Sequence, residues 1–253
     1  MAGFWRPFGH TLAVVTVLAG GVSAWSWLAR QTVTERTGYQ GTVTELTVEL
    51  GNGSAEVTTG PPGRATVEQR LTWSYGRPVV RQEHADGRLS VTADCGTRPR
   101  LPGCAVAYRI EVPPEVAVTV RTGSGTVSVR DVTGPLTLHS RNGDVRVENV
   151  AGDLRLDARS GRIDGADLHS PQVQARSGAG DVALRFATPP TTVLVRTGSG
   201  GITVAVPPPD GYNLHASARS GTRTVSVREE PTAPRRIDAQ AGDGNVRVAY
   251  TGG

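Results

Sequence analysis

The sequence contains no lysine, so all 27 of its basic residues are arginine. A phosphate-binding P-loop requires a lysine, and this class of nucleotide site is therefore excluded. Aromatic residues make up only 5% of the chain, and no basic stretch shows the aromatic interleaving of a nucleic-acid site. Beyond residue 30 the 25 arginines nearly balance 23 acidic residues. We therefore expect no nucleic-acid partner.

Motifs for catalysis, metals and cofactors are missing as well. There is no Gly-x-Ser-x-Gly nucleophile elbow, and glycine loops such as 178–181 lack the nine-residue period of calcium-binding β-rolls. We expect no catalysis, no cofactor and no metal site; a polysaccharide-acting β-helix enzyme is the alternative. The histidines, none paired at ligand spacing, are His10, His84, His139, His169 and His215. The aspartates that such an enzyme would need to bring together are Asp144, Asp153, Asp157, Asp164 and Asp167.

Only two cysteines are present, Cys95 and Cys104, and the loop between them contains two prolines and two glycines. Two closely spaced cysteines in an exported chain favour a disulfide. The alternative is a pair of reduced thiols. A metal site would need further ligands, and no histidine lies nearby in sequence.

One long apolar segment is present, at residues 11–29, and it carries no charged side chain. As a helix it would span about 28 Å, close to the hydrocarbon thickness of a bilayer. Aromatic residues at both ends resemble interfacial belts. The segment predicts a single-pass membrane anchor with the C-terminal region outside the cytoplasm. The alternative is a signal peptide cleaved after residues 22–24, which would leave a secreted protein.

A tripeptide of arginine, a small polar residue and glycine recurs along the chain. Its glycines lie 20, 18, 17, 20 and 23 residues apart, and a degenerate copy at 240–242 follows 21 residues later. Each copy lies between short segments that alternate apolar and polar residues, which predicts strands with one buried face. A period near twenty residues predicts stacked units. The arginines of the tripeptide are Arg121, Arg141, Arg159, Arg176, Arg196 and Arg219.

The loop from each arginine to the next inward residue has two predicted lengths. It is four residues after Arg141 and Arg159 and six after the others, and the difference of two keeps every side chain on its face. Two strands and two glycine corners per unit fit one coil of a parallel β-helix. We predict an all-β parallel β-helix, or β-solenoid, with coils of about 20 residues, preceded by one N-terminal transmembrane helix. An antiparallel meander or sandwich is the rival fold.

The predicted organisation has four parts. Residues 1–30 form a cytoplasmic stub and the transmembrane anchor, and residues 31–42 a polar linker. Residues 43–115 contain a first coil and a capping β region with the disulfide loop, which would cover an edge otherwise free to pair with another chain. Residues 116–250 form the solenoid repeats.

Three features together resemble a known family. They are Leu-Thr-Val-Glu-Leu-Gly-Asn-Gly at 46–53, Ile-Glu-Val-Pro-Pro at 110–114, and the Ser/Thr-Gly-x-Val units from 122 to 248. This order of parts resembles the bacterial putative adhesin family, a β-strand-repeat domain of unknown function, over most of residues 42–250. The resemblance implies a β-solenoid on the outside of the cell membrane. The family's usual Ser-Gly-Asp-Val aspartate is kept at Asp144 and Asp181, whereas Thr126, Arg162 and Gly201 depart from it.

In stacked coils the six tripeptide arginines would point outward from one corner, one above another. Guanidinium groups bind phosphate and carboxylate, so this ladder is a candidate site for an anionic envelope glycopolymer or lipid headgroups. Alternatively, the arginine stems only shield strand edges beside turn glycines. We expect a cell-envelope interaction or adhesin-like module. A regulatory or scaffold ectodomain that senses envelope state through a protein partner is the other hypothesis.

Overall fold

The computed structural model describes residues 30–74, 76–96, 103–208 and 211–252. In these ranges the chain forms 21 β-strands in two sheets, sheet A with 11 strands and sheet B with 10. The predicted all-β class is therefore confirmed. The predicted transmembrane segment, residues 11–29, lies outside the described residues. Among the residues that are described, none belongs to a helix of the length and apolarity that crossing a bilayer requires.

The strands are numbered along the chain. They are β1 (Gln31–Gln40), β2 (Glu45–Leu50), β3 (Gly53–Thr59), β4 (Arg64–Trp73), β5 (Val79–Ala85), β6 (Arg88–Asp94), β7 (Ala105–Val112), β8 (Ala117–Ser124), β9 (Val127–Arg130), β10 (Leu136–Asn142), β11 (Val145–Glu148), β12 (Leu154–Ser160), β13 (Ile163–Leu168), β14 (Gln172–Ala179), β15 (Val182–Phe186), β16 (Thr192–Ser199), β17 (Ile202–Val206), β18 (Asn213–Ser220), β19 (Arg223–Ser226), β20 (Arg236–Asp243) and β21 (Val246–Tyr250). The order across sheet A is β1-β4-β7-β3-β9-β11-β13-β15-β17-β21-β19, and across sheet B it is β18-β20-β16-β14-β12-β10-β8-β2-β6-β5.

From β8 onward each coil places one strand in sheet B and the next in sheet A. Neighbouring coils pair in parallel, with Leu136 beside Leu154 in sheet B and Val145 beside Ile163 in sheet A. Alternate side chains from both sheets are buried between them, and each aliphatic one contributes about 1.5–3 kcal/mol by leaving water. The parallel stack is as predicted, and the antiparallel rival is wrong for the repeat array. In the described ranges antiparallel pairing joins β1 to β4, β4 to β7 and β5 to β6.

The coils do not stack in chain order at either end. The β20–β21 coil lies between β16–β17 and β18–β19, so the second-last coil of the chain ends the stack. Similarly, β2–β3 lies between β8–β9 and the strands β6 and β7. The first coil predicted after residue 43 is therefore present, but it lies inside the stack.

The N-terminal end of the stack is covered by β4, β5 and β1. Residues 31–40, predicted as linker, form β1 and pair antiparallel with β4. Most side chains of β1 are exposed, so the strand lacks the alternation by which a sequence reveals one. Cys95, just after β6, and Cys104, just before β7, are joined in a disulfide.

One glycine fixes the corner between the strands of each coil. Its φ lies between 121° and 155°, where side chains are strained, and a Cβ would lie 2.1–2.4 Å from the carbonyl oxygen of the adjacent corner glycine or, for the first of them, of Gly53. In four copies this is not the tripeptide glycine but the glycine two residues later, so the predicted equivalence is wrong there. The corner glycines are Gly125, Gly143, Gly161, Gly180, Gly200, Gly221 and Gly244.

Candidate functional site: the outer face of sheet B

The two sheets carry charge differently on their outer faces. On sheet A many guanidiniums are paired: Arg146 contacts Asp144 at 2.6 Å, and both Arg109 and Arg130 bind Glu56. Burial by itself would raise the pKa of the Glu56 carboxyl, but hydrogen bonds from Arg130 and Arg109 lower this pKa below its ordinary value. This face is therefore largely neutralised by its own side chains.

On sheet B most of the predicted ladder is unpaired. Arg121 contacts Glu49 at 3.4 Å, and both side chains are about half exposed. Within the described ranges, no ion pair or hydrogen bond of the side chain is found for the other five arginines, and all five are exposed. They are Arg141, Arg159, Arg176, Arg196 and Arg219.

The six arginines form two rows, so the predicted single ladder is wrong. Arg121 lies beside His139 and not beside Arg141, whereas Arg176 lies beside Arg196. The first row, read across the strands, is Arg121, His139, Asp157, Arg176, Arg196 and Gln240. The second row, two residues further along each strand, is Gly123, Arg141, Arg159, Gly178, Gly198, Gly242 and Arg219.

The two corner lengths cause this division. The corner glycines and the first inward residues after them are held in register, so a short corner places its arginine two residues nearer to the corner than a long one. Arg219 was assigned a six-residue loop by its sequence, but Arg223 pairs with Val246, so its loop has four residues. Short corners thus put arginine in the second row, and long corners put arginine in the first row and glycine in the second.

The first row mixes charges along its length. His139 and Asp157 are 3.4 Å apart, between Arg121 on one side and Arg176 on the other. Arg176 and Arg196 are direct neighbours on adjacent strands, about 4.8 Å apart at the backbone. In water the repulsion between the two guanidiniums is about 1 kcal/mol or less, which the fold can tolerate. An anion bound between them would relieve this repulsion.

In the second row three neighbouring positions have no side chain. A Cβ on Gly178, Gly198 or Gly242 would lie 2.3–2.5 Å from the carbonyl oxygen of the preceding strand, so the coils approach too closely here for any other residue. We call these three residues the glycine floor. Arg159 bounds it on β12 and Arg219 on β18, four strand spacings or about 19 Å apart.

A groove of about 900 Å³ lies on the same face near the N-terminal cap. Gly51 and Gly123 line it, with Arg141 at one side and Asp94 at the other. The Glu49–Arg121 ion pair also lines the groove, which therefore carries charges of both signs. The neighbouring arginines Arg141 and Arg159 separate this groove from the glycine floor.

The described residues hold no group of three or more His, Cys, Asp or Glu placed to bind a metal ion. Asp157 lies on the outer face of sheet B and Asp164 on that of sheet A, so the aspartates considered for catalysis are not gathered in one groove. Burial raises the pKa of Tyr108, and it raises the pKa of Tyr212 to about 12. Both phenols are buried, away from the two rows, and the Tyr212 hydroxyl donates to the Pro207 carbonyl at 3.0 Å.

The glycine floor was not predicted from the sequence. Its signal was a second glycine two residues after the tripeptide glycine, as in Gly178-Ala179-Gly180 and Gly198-Ser199-Gly200. One glycine of each pair forms the corner. The other is required for a different reason, because it allows the neighbouring coils to approach closely.

Comparison with known proteins gives a family match and several structures of low identity. The Toastrack DUF4097 family model matches residues 40–251, which include both the capping region and the array. A putative adhesin from Bacteroides fragilis is 14% identical, with 87% of this chain and 97% of that chain covered and a TM-score of 0.45. A putative adhesin from Parabacteroides merdae is 10% identical, with 86% and 96% covered and a TM-score of 0.42. No curated protein matches this chain.

Proposed function

This chain belongs to the Toastrack DUF4097 family, and from its exposed arginine rows we propose that it is a cell-envelope interaction module, adhesin-like and without catalysis. The family match confirms the resemblance to bacterial putative adhesins, a domain of unknown function. The family therefore fixes the kind of domain, and the proposal for its activity comes from the surface of this chain.

We propose that the domain works outside the cytoplasm, held by residues 11–29 as a single-pass anchor. The uncharged run of those residues supports an anchor, and the Cys95–Cys104 disulfide supports an oxidising compartment. Secretion after cleavage of the same segment is the alternative. Its test is the N-terminal sequence of the protein from the producing cells and their medium, which includes residues 11–29 if the anchor is retained and starts after residues 22–24 if the segment is cleaved.

The observation that carries the proposal is the contrast between the two faces. Five tripeptide arginines on sheet B are exposed without an ion-pair partner among the described residues, while carboxylates neutralise much of sheet A. Guanidiniums form paired hydrogen bonds with phosphate and carboxylate. An array of them on a rigid sheet suits an anionic envelope glycopolymer.

Binding of the full-length chain, purified in a neutral detergent, to anionic wall polymer tests this function. We expect binding that weakens with salt, and at least about tenfold weaker binding after Arg141→Glu, Arg159→Glu and Arg176→Glu are combined, which corresponds to about 1.4 kcal/mol. The matched control reverses three exposed arginines of sheet A that have no ion pair in the described structure: Arg64, Arg185 and Arg247. Circular dichroism monitors the fold. Equal binding by all three proteins would refute the proposal.

The unpaired strand edges at the C-terminal end of the stack favour a second candidate function, a regulatory or scaffold ectodomain. The strands β18 and β19 end their sheets, and Leu214 and Val225 in them are only half buried. Such an edge is a template for a partner's strand. This function predicts that Leu214→Arg removes a protein partner from the chain purified out of membranes and leaves polymer binding unchanged.

A further inference from the structure

We infer that the glycine floor and the arginines around it form a trough for a linear polyanion that lies across the strands, along the axis of the stack. The trough consists of Gly178, Gly198 and Gly242 with Arg159, Arg176, Arg196 and Arg219. This inference rests on the proposed function, because it names the part of sheet B that binds and the shape of what is bound. The groove beside the N-terminal cap, with its mixed charges, is not part of it.

The trough has a bare backbone surface. The three glycines lie on adjacent strands, and Gly178 and Gly198 are exposed to solvent. A Cβ at any of these positions would clash with the carbonyl oxygen of the neighbouring strand, so only glycine fits and no side chain covers the backbone. A bound chain can therefore contact the peptide backbone over a width of three strands, about 14 Å.

Cations surround this surface on three sides. Arg159 and Arg219 close its two ends within the second row, and Arg176 and Arg196 line it from the first row. Three carboxylates lie close by, Asp157, Asp238 and Asp243; Asp157 lies 3.4 Å from His139, and Asp238 is paired with Arg236 at 3.3 Å. The four guanidiniums of the trough have no ion pair among the described residues, so the trough is positive.

The distances between the arginines favour a linear ligand with regularly spaced negative charges. Arg159 and Arg219 are about 19 Å apart, whereas Arg176 and Arg196 are one strand spacing apart, about 4.8 Å. A single phosphate or carboxylate can bridge the central pair but cannot bridge the two ends. A chain that carries such groups at intervals reaches the central pair and both ends, and it follows the axis because the glycine floor does.

Two pairs of variants test the trough in the full-length chain, purified in neutral detergent. The central pair is Arg176→Glu with Arg196→Glu, and the end pair is Arg159→Glu with Arg219→Glu. The control pair is Arg185→Glu with Arg247→Glu, two exposed arginines of sheet A without an ion pair in the described structure. The probes are long-chain polyphosphate, tripolyphosphate and polygalacturonate, with dextran as the neutral polymer.

We expect the central pair to weaken both phosphate probes at least about tenfold. The end pair weakens long-chain polyphosphate by a similar factor and tripolyphosphate clearly less, because the short probe cannot span the about 19 Å between Arg159 and Arg219. The control pair leaves both within about twofold. Comparison with polygalacturonate separates phosphate from carboxylate chemistry, and dextran does not bind.

Three results would overturn the trough. Equal losses in the end, central and control pairs would show that only net charge matters. An end pair that affects long and short phosphates alike would show that the ligand does not extend along the floor. Binding to vesicles of phosphatidylglycerol and phosphatidylcholine, with no binding to soluble polyphosphate, would assign the face to a membrane surface. If the unsubstituted chain binds no anionic probe, the proposed function itself is wrong.

Discussion

Replacement of Gly180 by alanine tests whether backbone contact between corners holds the coils together. Gly180 has a φ of 147°, and a Cβ there would lie 2.2 Å from the Gly161 carbonyl oxygen and 2.7 Å from its carbon. Neither atom belongs to a flexible side chain, so the neighbouring coil has to move. The control is Gly63→Ala, in the turn before β4, where φ is 69° and nothing lies within 4 Å of the new Cβ.

Gly180→Ala is expected to lose more stability than Gly63→Ala. A side chain in the left-handed region costs about 1–2 kcal/mol, which is the whole expected effect at Gly63. At Gly180 the backbone strain of about 1–3 kcal/mol is joined by the cost of overpacking, about 1–3 kcal/mol. The total is about 2–6 kcal/mol, a large part of the about 5–15 kcal/mol that stabilises a typical protein.

Urea unfolding followed by circular dichroism measures the difference. With a denaturant slope of about 2 kcal/mol per molar, Gly180→Ala lowers the unfolding midpoint by about 1–3 M and Gly63→Ala by about 0.5–1 M. If the two variants lose the same stability, the corner glycines are only turn residues. The claim that coils meet at their backbones would then be wrong.

Three further outcomes follow from the structure. Replacing Cys95 and Cys104 by serine costs about 2–3 kcal/mol of unfolding free energy, and a reducing agent produces the same loss in the unsubstituted chain but none in the variant. The Glu56 carboxyl has a lowered pKa in the folded protein, so its stabilising contribution is complete above the ordinary pKa of about 4.3 and is lost as pH falls through the lowered value; in Glu56→Gln, acid unfolding curves lack this contribution. Ile163→Ala, in the middle of the stack, costs about 2–5 kcal/mol, whereas Val225→Ala, half buried in the end coil, costs clearly less in the same urea assay.

The strand pattern was predictable because burial imposes it. Inward residues such as Val145 and Ile163 recur at every second position, and a slip of one residue would expose the whole set. The equivalence of the glycines was not predictable in the same way. Both Gly123 and Gly125 satisfy the demands of a turn, and only the carbonyl oxygens of the neighbouring coil distinguish the corner glycine from the floor position. Whether an arginine stands in the first or the second row depends on that distinction.

The order of the coils was also hidden from the sequence. The inward alternation recurs from coil to coil, so it does not specify which coils are neighbours. The order then depends on the loops between coils, and these have no periodic signal. The chain skips one coil position between β17 and β18, and the loop after β19, residues 227–235, brings it back into that position. Composition identifies this segment as a loop but does not show where it leads.

The inverted order of the last two coils is what gives the glycine floor its length. In chain order β18 would follow β16, and Arg219 would stand directly beside Gly198 in the second row. Because β20 is inserted there, Gly242 takes that place and Arg219 moves one strand outward. The bare surface is therefore three strands wide and not two, with a cation at each end. The inversion also leaves Arg223, which pairs with the inward residue Val246, exposed at the end of the stack and not enclosed between two coils. Its consequence at the surface is the trough in which we expect a polyanion to bind.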